Sequence, residues 1–328
     1  MKKTIKTIIT LFLVLLIFSI TGFLFYLNWI VHTPVAKGSS EYKIVEVKKG
    51  EGTFQIAQKL KNKNLVASDW VFYLNAKIKS GSLSVGYYNL SPSMTMLDIY
   101  NKISSGDTNI VKVTIPEGYR TEQIAQVLNE KSVTNYESFM EAAKKYEGKL
   151  FPDTYFFPTG MSDTDIVKTM TDDFSERTKD LNVTNEDLVI ASIVERETIK
   201  DNERPLIAGV YKNRIVKSMK LEADPTVQYG KDNLSVKSLS GDELLNFKFW
   251  QPITSADYKT VDSSYNTYLI SGLPPTPICN PGIKSIEAAI NYGKHNYIYF
   301  LQNGGQIYPS ETLSQHDKYR RDILGAKN

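Results

Sequence analysis

KKGEGTFQIAQKLKNKNLV, residues 48–66, aligns without gaps on PEGYRTEQIAQVLNEKSVT, residues 116–134. The two stretches share Gly50 with Gly118, Thr53 with Thr121, the whole Gln-Ile-Ala-Gln run, and Leu60 with Leu128. Each follows an alternating segment, YKIVEV at 42–47 and NIVKVTI at 109–115, that reads as a strand. Each continues with apolar residues at helical spacing: Ile56, Ala57 and Leu60, then Ile124, Ala125 and Leu128. Thr53 and Thr121 stand where helix N-caps are expected. Residues 41–110 and 111–180 therefore read as two βα units in tandem. A further helix is expected at SMTMLDIYNKI (93–103). The rigid aromatic segment FPDTYFFP (151–158) leads into another at 164–181.

Ahead of the repeat lies TIITLFLVLLIFSITGFLFYLNWIV, residues 7–31, without a charged residue. As a helix it would run about 37 Å, enough to cross a hydrocarbon core of about 30 Å. Lys2, Lys3 and Lys6 in the tail at 1–6 predict a cytoplasmic N-terminus, and Tyr26 and Trp29 suit an aromatic belt at the far end. The run is too long for a cleaved signal, and no small-x-small cleavage pattern follows it. Residues 32–40, HTPVAKGSS, read as a short polar linker. The expectation is a single-pass protein of a bacterial cell membrane, working outside the cytoplasm.

Charge and cysteine content remove several functions. Of 39 basic residues, three precede the apolar run and the remaining 36 match 36 acidic ones, so nucleic acid is not an expected partner. One cysteine, Cys279, precludes an intrachain disulfide. The three histidines, His32, His295 and His316, are widely separated, so neither a Cys/His zinc site nor an HExxH pair is expected.

From 181 to 328 the pattern is mixed. TNEDLVIASIVERET (184–198) reads as a buried helix with Thr184 as N-cap and Asp187 at N3. ERPLIAGVYKNRIVKS (203–218) reads as a second, with Pro205 in its first turn. SIEAAINYGKH (285–295) is a third, and YIYFLQNGGQIYP (297–309) a hairpin turning at Asn303-Gly304-Gly305. The fold class is α+β: a transmembrane helix, tandem βα units, then a mixed α/β catalytic domain. A strand with a short amphipathic helix, outside a membrane, suggests a LysM-like glycan-binding unit. A repeat that only spaces and braces the rest fits the same pattern.

Two glutamates close the apolar helix in ASIVERET (191–198). Two positions apart on a helix, they point about 200° from each other. Glu195 continues the stripe of Leu188 and Ala191, whereas Glu197, beside Arg196 and Lys200, is expected on a solvated side. Burial would raise the pKa of Glu195 and let it hold a proton near neutrality. A structural ion pair with Arg204 or Arg214 would place the same residue equally well.

ASIVERET, YKNRIVKSMKLEADPTVQYG (211–230) and SSYNTYLISGLPPTPICNPG (263–282), in that order, resemble the endolytic murein transglycosylases, the MltG-type or YceG-like family. PEGYRTEQIA, FPDTY and the single anchor resemble it too. Three departures stand out. Residues 231–262 are longer than the family usually carries, Thr276 replaces a common glycine, and Ser264 replaces a common proline. The resemblance implies that Glu195, as first glutamate of the motif, is catalytic. It implies cleavage of the MurNAc–GlcNAc bond in nascent glycan strands, leaving 1,6-anhydroMurNAc ends and terminating elongation. Peptidoglycan would be the substrate and peptidoglycan synthases possible neighbours; no cofactor or metal is needed.

Asn213, Asp224, Gln228, Tyr265, Asn266 and Tyr268 are candidate sugar contacts, although each suits a cap or turn as well. Asp224-Pro225 is a common turn opener. Two rival functions stay open: a non-catalytic wall-binding or scaffold protein, and a muramidase with Glu197 or Asp224 as second carboxylate.

Overall fold

The computed structural model describes residues 2–325, and the side chains of residues 2–9 lie outside that description. The roles expected of Lys2, Lys3 and Lys6 therefore fall outside the described side chains. The chain forms two compact units, Met1–Val111 and Lys112–Asn328.

The first unit opens with α1 (Lys2–His32), of which Thr10–His32 is long and apolar enough to cross a membrane. It continues through β1 (Lys43–Val47), α2 (Thr53–Asn62), α3 (Asp69–Ile78), β2 (Gly86–Leu90) and α4 (Met96–Ser105). β1 pairs antiparallel with β2, Val45 opposite Tyr88. Alternation in KIVEV buries Val45 and Val47, and they pack in one core with Ile56, Leu60, Phe72 and Ile99. Ile30 and Val31, the last turn of α1, are buried in that same core. The segment after α1 is pinned as well: the Ala36 N–H donates to Pro92 O at 2.9 Å. Residues 32–40 are thus a tied connection rather than a free linker, because the helix end is part of the domain it was expected to be tethered to.

The second unit begins with a copy of the same plan. β3 (Ile110–Thr114), α5 (Thr121–Glu130), α6 (Tyr136–Ala143) and β4 (Thr154–Pro158) are followed by α7 (Asp163–Thr178), and β3 pairs with β4. Each copy is therefore strand–helix–helix–strand plus a helix, larger than the βα unit its sequence suggests. The second strands, GYYNL and TYFFP, escape a reading based on identity because they share only tyrosine and chain position. The copies do agree in backbone detail. Gly50 and Gly118 hold φ of 82° and 77°, and Asn64 and Ser132 both hold 54°, closing α2 and α5 with left-handed residues. Thr53 and Thr121 are first helical residues rather than N-caps. The caps are Gly52 and Arg120, whose N–H groups are met by the side chains of Gln55 at 2.9 Å and Gln123 at 3.2 Å. A glutamine three residues into the helix reaches back more easily than threonine can from inside it.

α8 (Asn185–Glu197) is the centre of the second unit, packed by α9 (Arg204–Val216), α10 (Asp224–Ser235) and α13 (Ile283–Ile290). Thr184 caps it reciprocally with Asp187, and every residue from Asp187 to Val194 is buried. Between α10 and α13 lie the short helices α11 (Gly241–Leu245) and α12 (Asp257–Thr260). The chain ends with β5 (Tyr299–Asn303), β6 (Gln306–Ser310) and α14 (Leu313–Tyr319), the two strands turning at Gly304 and Gly305 with φ of 59° and 73°.

Residues 111–180 and 181–328 make one body, joined through Asn280. Its Oδ1 accepts the N–H groups of Gly148 and Leu150, both at 2.9 Å. Its Nδ2 donates to Tyr119 O at 3.0 Å and to the Glu147 carboxyl at 2.9 Å. Its main chain exchanges hydrogen bonds with Gly118 and Tyr119. Asn280→Ala would orphan two buried N–H groups and is expected to lower unfolding stability by about 3 kcal/mol, read as a shift in the urea midpoint at unchanged slope.

Candidate active site

The C-terminal turn of α8 splits three polar side chains in three directions. Glu195 turns towards α9 and α13. Its Oε1 receives Arg204 Nη1 at 3.1 Å and its Oε2 receives the Gly282 N–H at 3.0 Å, with only 6% of the side chain exposed. Arg204 also donates to Ser285 Oγ at 2.6 Å and through Nε to Asp201 at 3.2 Å. Of the two arginines expected as partners, the other, Arg214, instead pairs with Glu222 at 2.9 Å and with carbonyls of residues 220, 221 and 298.

Glu117, from the repeat's Pro-Glu-Gly-Tyr loop, faces the same node. Any side chain at Gly282 would collide with its carboxylate, and Gly118 lies against Glu195 Cγ. Partial burial pushes Glu117 up from the usual carboxylate range, and the charges of Glu195 and Asp201 add to this against Arg204.

Glu197 is half-buried rather than on an open face. Its Oε1 accepts the Tyr211 hydroxyl at 2.6 Å. Burial pushes its carboxyl up to about 7, the Tyr211 hydrogen bond works against this, and the charge of Asp224 works with it. Among the described residues no ion pair reaches it. Tyr211 is itself fully buried, its ring edge-on to Phe300 at 6.0 Å. Arg196, between the glutamates, lies flat over Trp250 at 4.0 Å.

Asp224 starts α10 with Pro225 behind it, so Asp-Pro opens a helix here and not a turn. Its two oxygens accept the hydroxyls of Tyr268 at 2.7 Å and Tyr258 at 3.3 Å. Those rings stack 4.2 Å apart, both partly exposed. This pair is a flat aromatic surface beside an acidic one, the composition a sugar ring packs on.

The remaining sequence candidates divide. Tyr265 stays accessible, its hydroxyl at 2.7 Å from Thr276 and its ring 4.6 Å from Tyr229. Gln228 reaches Gln251 O at 3.3 Å. Asn213 and Asn266 are held by the fold. Asn213 Nδ2 is spent on the carbonyls of His295 (2.7 Å) and Tyr297 (2.9 Å). Asn266 is fully buried and spends its amide on Tyr258 O and Val261 O. Among the described residues no group of His, Cys, Asp and Glu is arranged to hold a metal.

The long segment 231–262 delivers Tyr258. The repeat's second copy holds it: Gln126 Nε2 donates to Leu244 O at 2.9 Å and Phe247 O at 3.0 Å, and Gln123 accepts from Trp250 Nε1 at 2.9 Å. Asp232 accepts the Trp250 N–H at 2.6 Å. Arg120 stacks on Tyr229 at 3.9 Å and pairs with Glu122 and Asp232. Sequence reasoning missed Tyr211, Tyr258 and Glu117, and left the partner of Glu195 open between Arg204 and Arg214. Only Glu117, inside the repeat, carried a signal that could have singled it out.

Two variants test these electrostatics without any substrate. Arg204→Met strands the buried Glu195 carboxylate and is expected to cost about 3–5 kcal/mol in urea unfolding. Glu197, raised from 4.5 to about 7, stabilises the fold fully below about pH 4.5, and that contribution is lost as pH rises through about 7. Glu197→Gln should therefore flatten the stability–pH curve between those values. A wild-type curve already flat there would contradict the burial argument.

The model of the YceG-like family matches residues 45–322. The chain is 31% identical to the endolytic murein transglycosylase of Bacillus subtilis over 340 residues, 90% of this chain and 88% of that protein. It is 28% identical to the endolytic murein transglycosylase of Streptococcus pneumoniae, over 98% of this chain and 66% of that longer protein. A crystal structure of a YceG-like protein from Listeria monocytogenes superposes with a TM-score of 0.51 at 30% identity, covering 85% of this chain and 99% of that one.

Proposed function

The chain belongs to the YceG-like family, and from that premise we propose that it is an endolytic lytic transglycosylase of peptidoglycan, anchored by α1 in the cell membrane with its N-terminus cytoplasmic. It cuts the MurNAc–GlcNAc bond within nascent strands and leaves 1,6-anhydroMurNAc ends, so ending elongation. The repeat units serve as LysM-like modules that hold glycan, and peptidoglycan synthases are its expected neighbours.

The observation that carries the mechanism is the contrast between the two glutamates. Glu195 stands where the family motif places its acid, at the node where α8, α9, α13 and the Pro-Glu-Gly-Tyr loop meet, with its carboxyl oriented by Arg204 and the Gly282 N–H. Glu197 is turned instead to the hydroxyl of the fully buried Tyr211. We assign the acid's role to Glu195 and give Glu197 a structural role beside Tyr211.

Glu195 donates its proton to the glycosidic oxygen as the bond from muramic C1 breaks, which releases the N-acetylglucosamine hydroxyl. The resulting carboxylate then takes the proton from the muramic C6 hydroxyl as O6 bonds to C1. The carboxyl ends as it began and no water is consumed. Attack from within the same sugar removes most of the entropic barrier of a bimolecular step. Asp224, Tyr258 and Tyr268 supply the surface on which the sugar rings rest, with Tyr265 and Gln228 at its border.

Purified sacculi digested with each variant and examined by mass spectrometry test this reading. Glu195→Gln should lose anhydro-product release by about 10²–10⁴-fold, as removal of a general acid does, with folding retained. Glu197→Gln should lose less activity; the opposite ranking would pass the acid's role to Glu197. Reducing ends carrying oxygen from labelled water would indicate a muramidase using Asp224, and glycan retention without new ends a scaffold.

A further inference from the structure

The first unit carries an apolar surface that its own core leaves uncovered. On α3, Trp70, Leu74 and Ile78 are 58%, 44% and 82% exposed. Spaced four apart, they fall within an arc of about 80° on the helix surface, opposite Phe72 and Ala76, which are buried in the core. Phe54 and Tyr73 widen the patch: the three ring centroids of Phe54, Trp70 and Tyr73 lie 5.6–5.9 Å apart. Lys77 and Lys79 flank Ile78, and the Lys77 ammonium sits 5.8 Å from the Tyr73 ring.

A second observation says what lies next to this surface. α3 packs on α1, and Ile30 and Val31 at the end of α1 share the core with Phe72 and Ala76. Just before them α1 is already bare, with Tyr26 and Trp29 each more than half exposed and apolar side chains exposed back to Leu11. The Ala36–Pro92 hydrogen bond ties down the connection that follows. The first unit therefore begins where the spanning segment ends, with no slack between them, and α3 touches that segment.

We propose that the outer face of α3 lies on the outer leaflet of the membrane that α1 crosses, at the boundary of head groups and acyl chains, and seats the first unit on the lipid surface. This rests on the anchored reading of α1. The face belongs to a helix that packs directly on α1, so it lies close to the end of the span. Its composition is that of an interfacial helix: tryptophan and tyrosine at one end, aliphatic residues along the stripe, and lysines at the margin to meet lipid phosphates. Glycan strands, which also stack on aromatic rings, do not call for Leu74 and Ile78.

The test uses the full chain reconstituted in vesicles of phosphatidylglycerol and phosphatidylethanolamine. Cys279 is fully buried, so a nitroxide reacts selectively with a cysteine introduced at an exposed site. Three proteins are labelled: Ile78→Cys on the α3 face, Phe18→Cys within the span, and Ser238→Cys as an aqueous reference. Collision with oxygen relative to a water-soluble nickel complex reports depth. The Ile78→Cys label should show an oxygen-to-nickel ratio raised about fivefold or more over Ser238→Cys, between the reference and Phe18→Cys, as an interfacial position requires. A ratio equal to the reference while Phe18→Cys is lipid-immersed overturns the proposal and leaves the anchor standing. Water-like values at both sites sink the anchored reading along with it. Shielding of Ile78→Cys only when purified glycan strands are added would make the face a glycan surface instead and likewise overturn the proposal.

Discussion

The contact between Glu195, Arg204 and the Gly282 N–H is the one on which the second unit's architecture turns. It joins the end of α8 to the start of α9 and the start of α13, and Glu117 from the repeat's loop faces the same node. Taking two charges out of water is expensive, and breaking such a pair costs more than never having it. The pair therefore persists only while all three elements hold their places. With α8 fixed in this way, its last turn must put Glu197 somewhere, and the packed surroundings leave it beside Tyr211. One carboxyl is paired with a guanidinium where the helix ends inside the protein, and the other meets a tyrosine hydroxyl.

The internal repeat shows how duplication can be put to different uses. In both copies the first glutamine of Gln-Ile-Ala-Gln closes the N-terminus of its helix. In the first copy the second, Gln58, is exposed. In the second copy the corresponding Gln126 grips residues 244 and 247, and Gln123 takes on Trp250 as well. The second copy has thus become the bracket for the long segment that carries Tyr258 to Asp224. Residues 111–180, set apart as a unit by sequence pattern, are for this reason fused to the catalytic part through Asn280, Gln126 and Arg120.

Much of the element plan was legible in the chain. The period of the apolar residues marks α2, α5 and α8, Thr184 with Asp187 marks the start of α8, and Asn303-Gly304-Gly305 marks the last hairpin. These are local signals, set by backbone geometry within a few residues. The second strands of the repeat were not legible, because GYYNL and TYFFP become strands only by pairing with partners about 40 residues away. Asn213 and Asn266 looked like sugar contacts by residue type. The carbonyls that consume them come from loops that reach them only in the folded chain.

The sequence by itself determined that a helix made to be buried would end in two glutamates pointing about 200° apart, because helical pitch admits nothing else. It also determined an uncharged run long enough to cross a bilayer. Which glutamate meets an arginine and which a tyrosine was decided only by tertiary structure. Arg204 lies nine residues beyond Glu195, Tyr211 fourteen beyond Glu197, and no local rule says which side chain reaches which. A charge's surroundings are set by everything packed around it, and that packing closes only when α9, α10 and α13 have come together on α8.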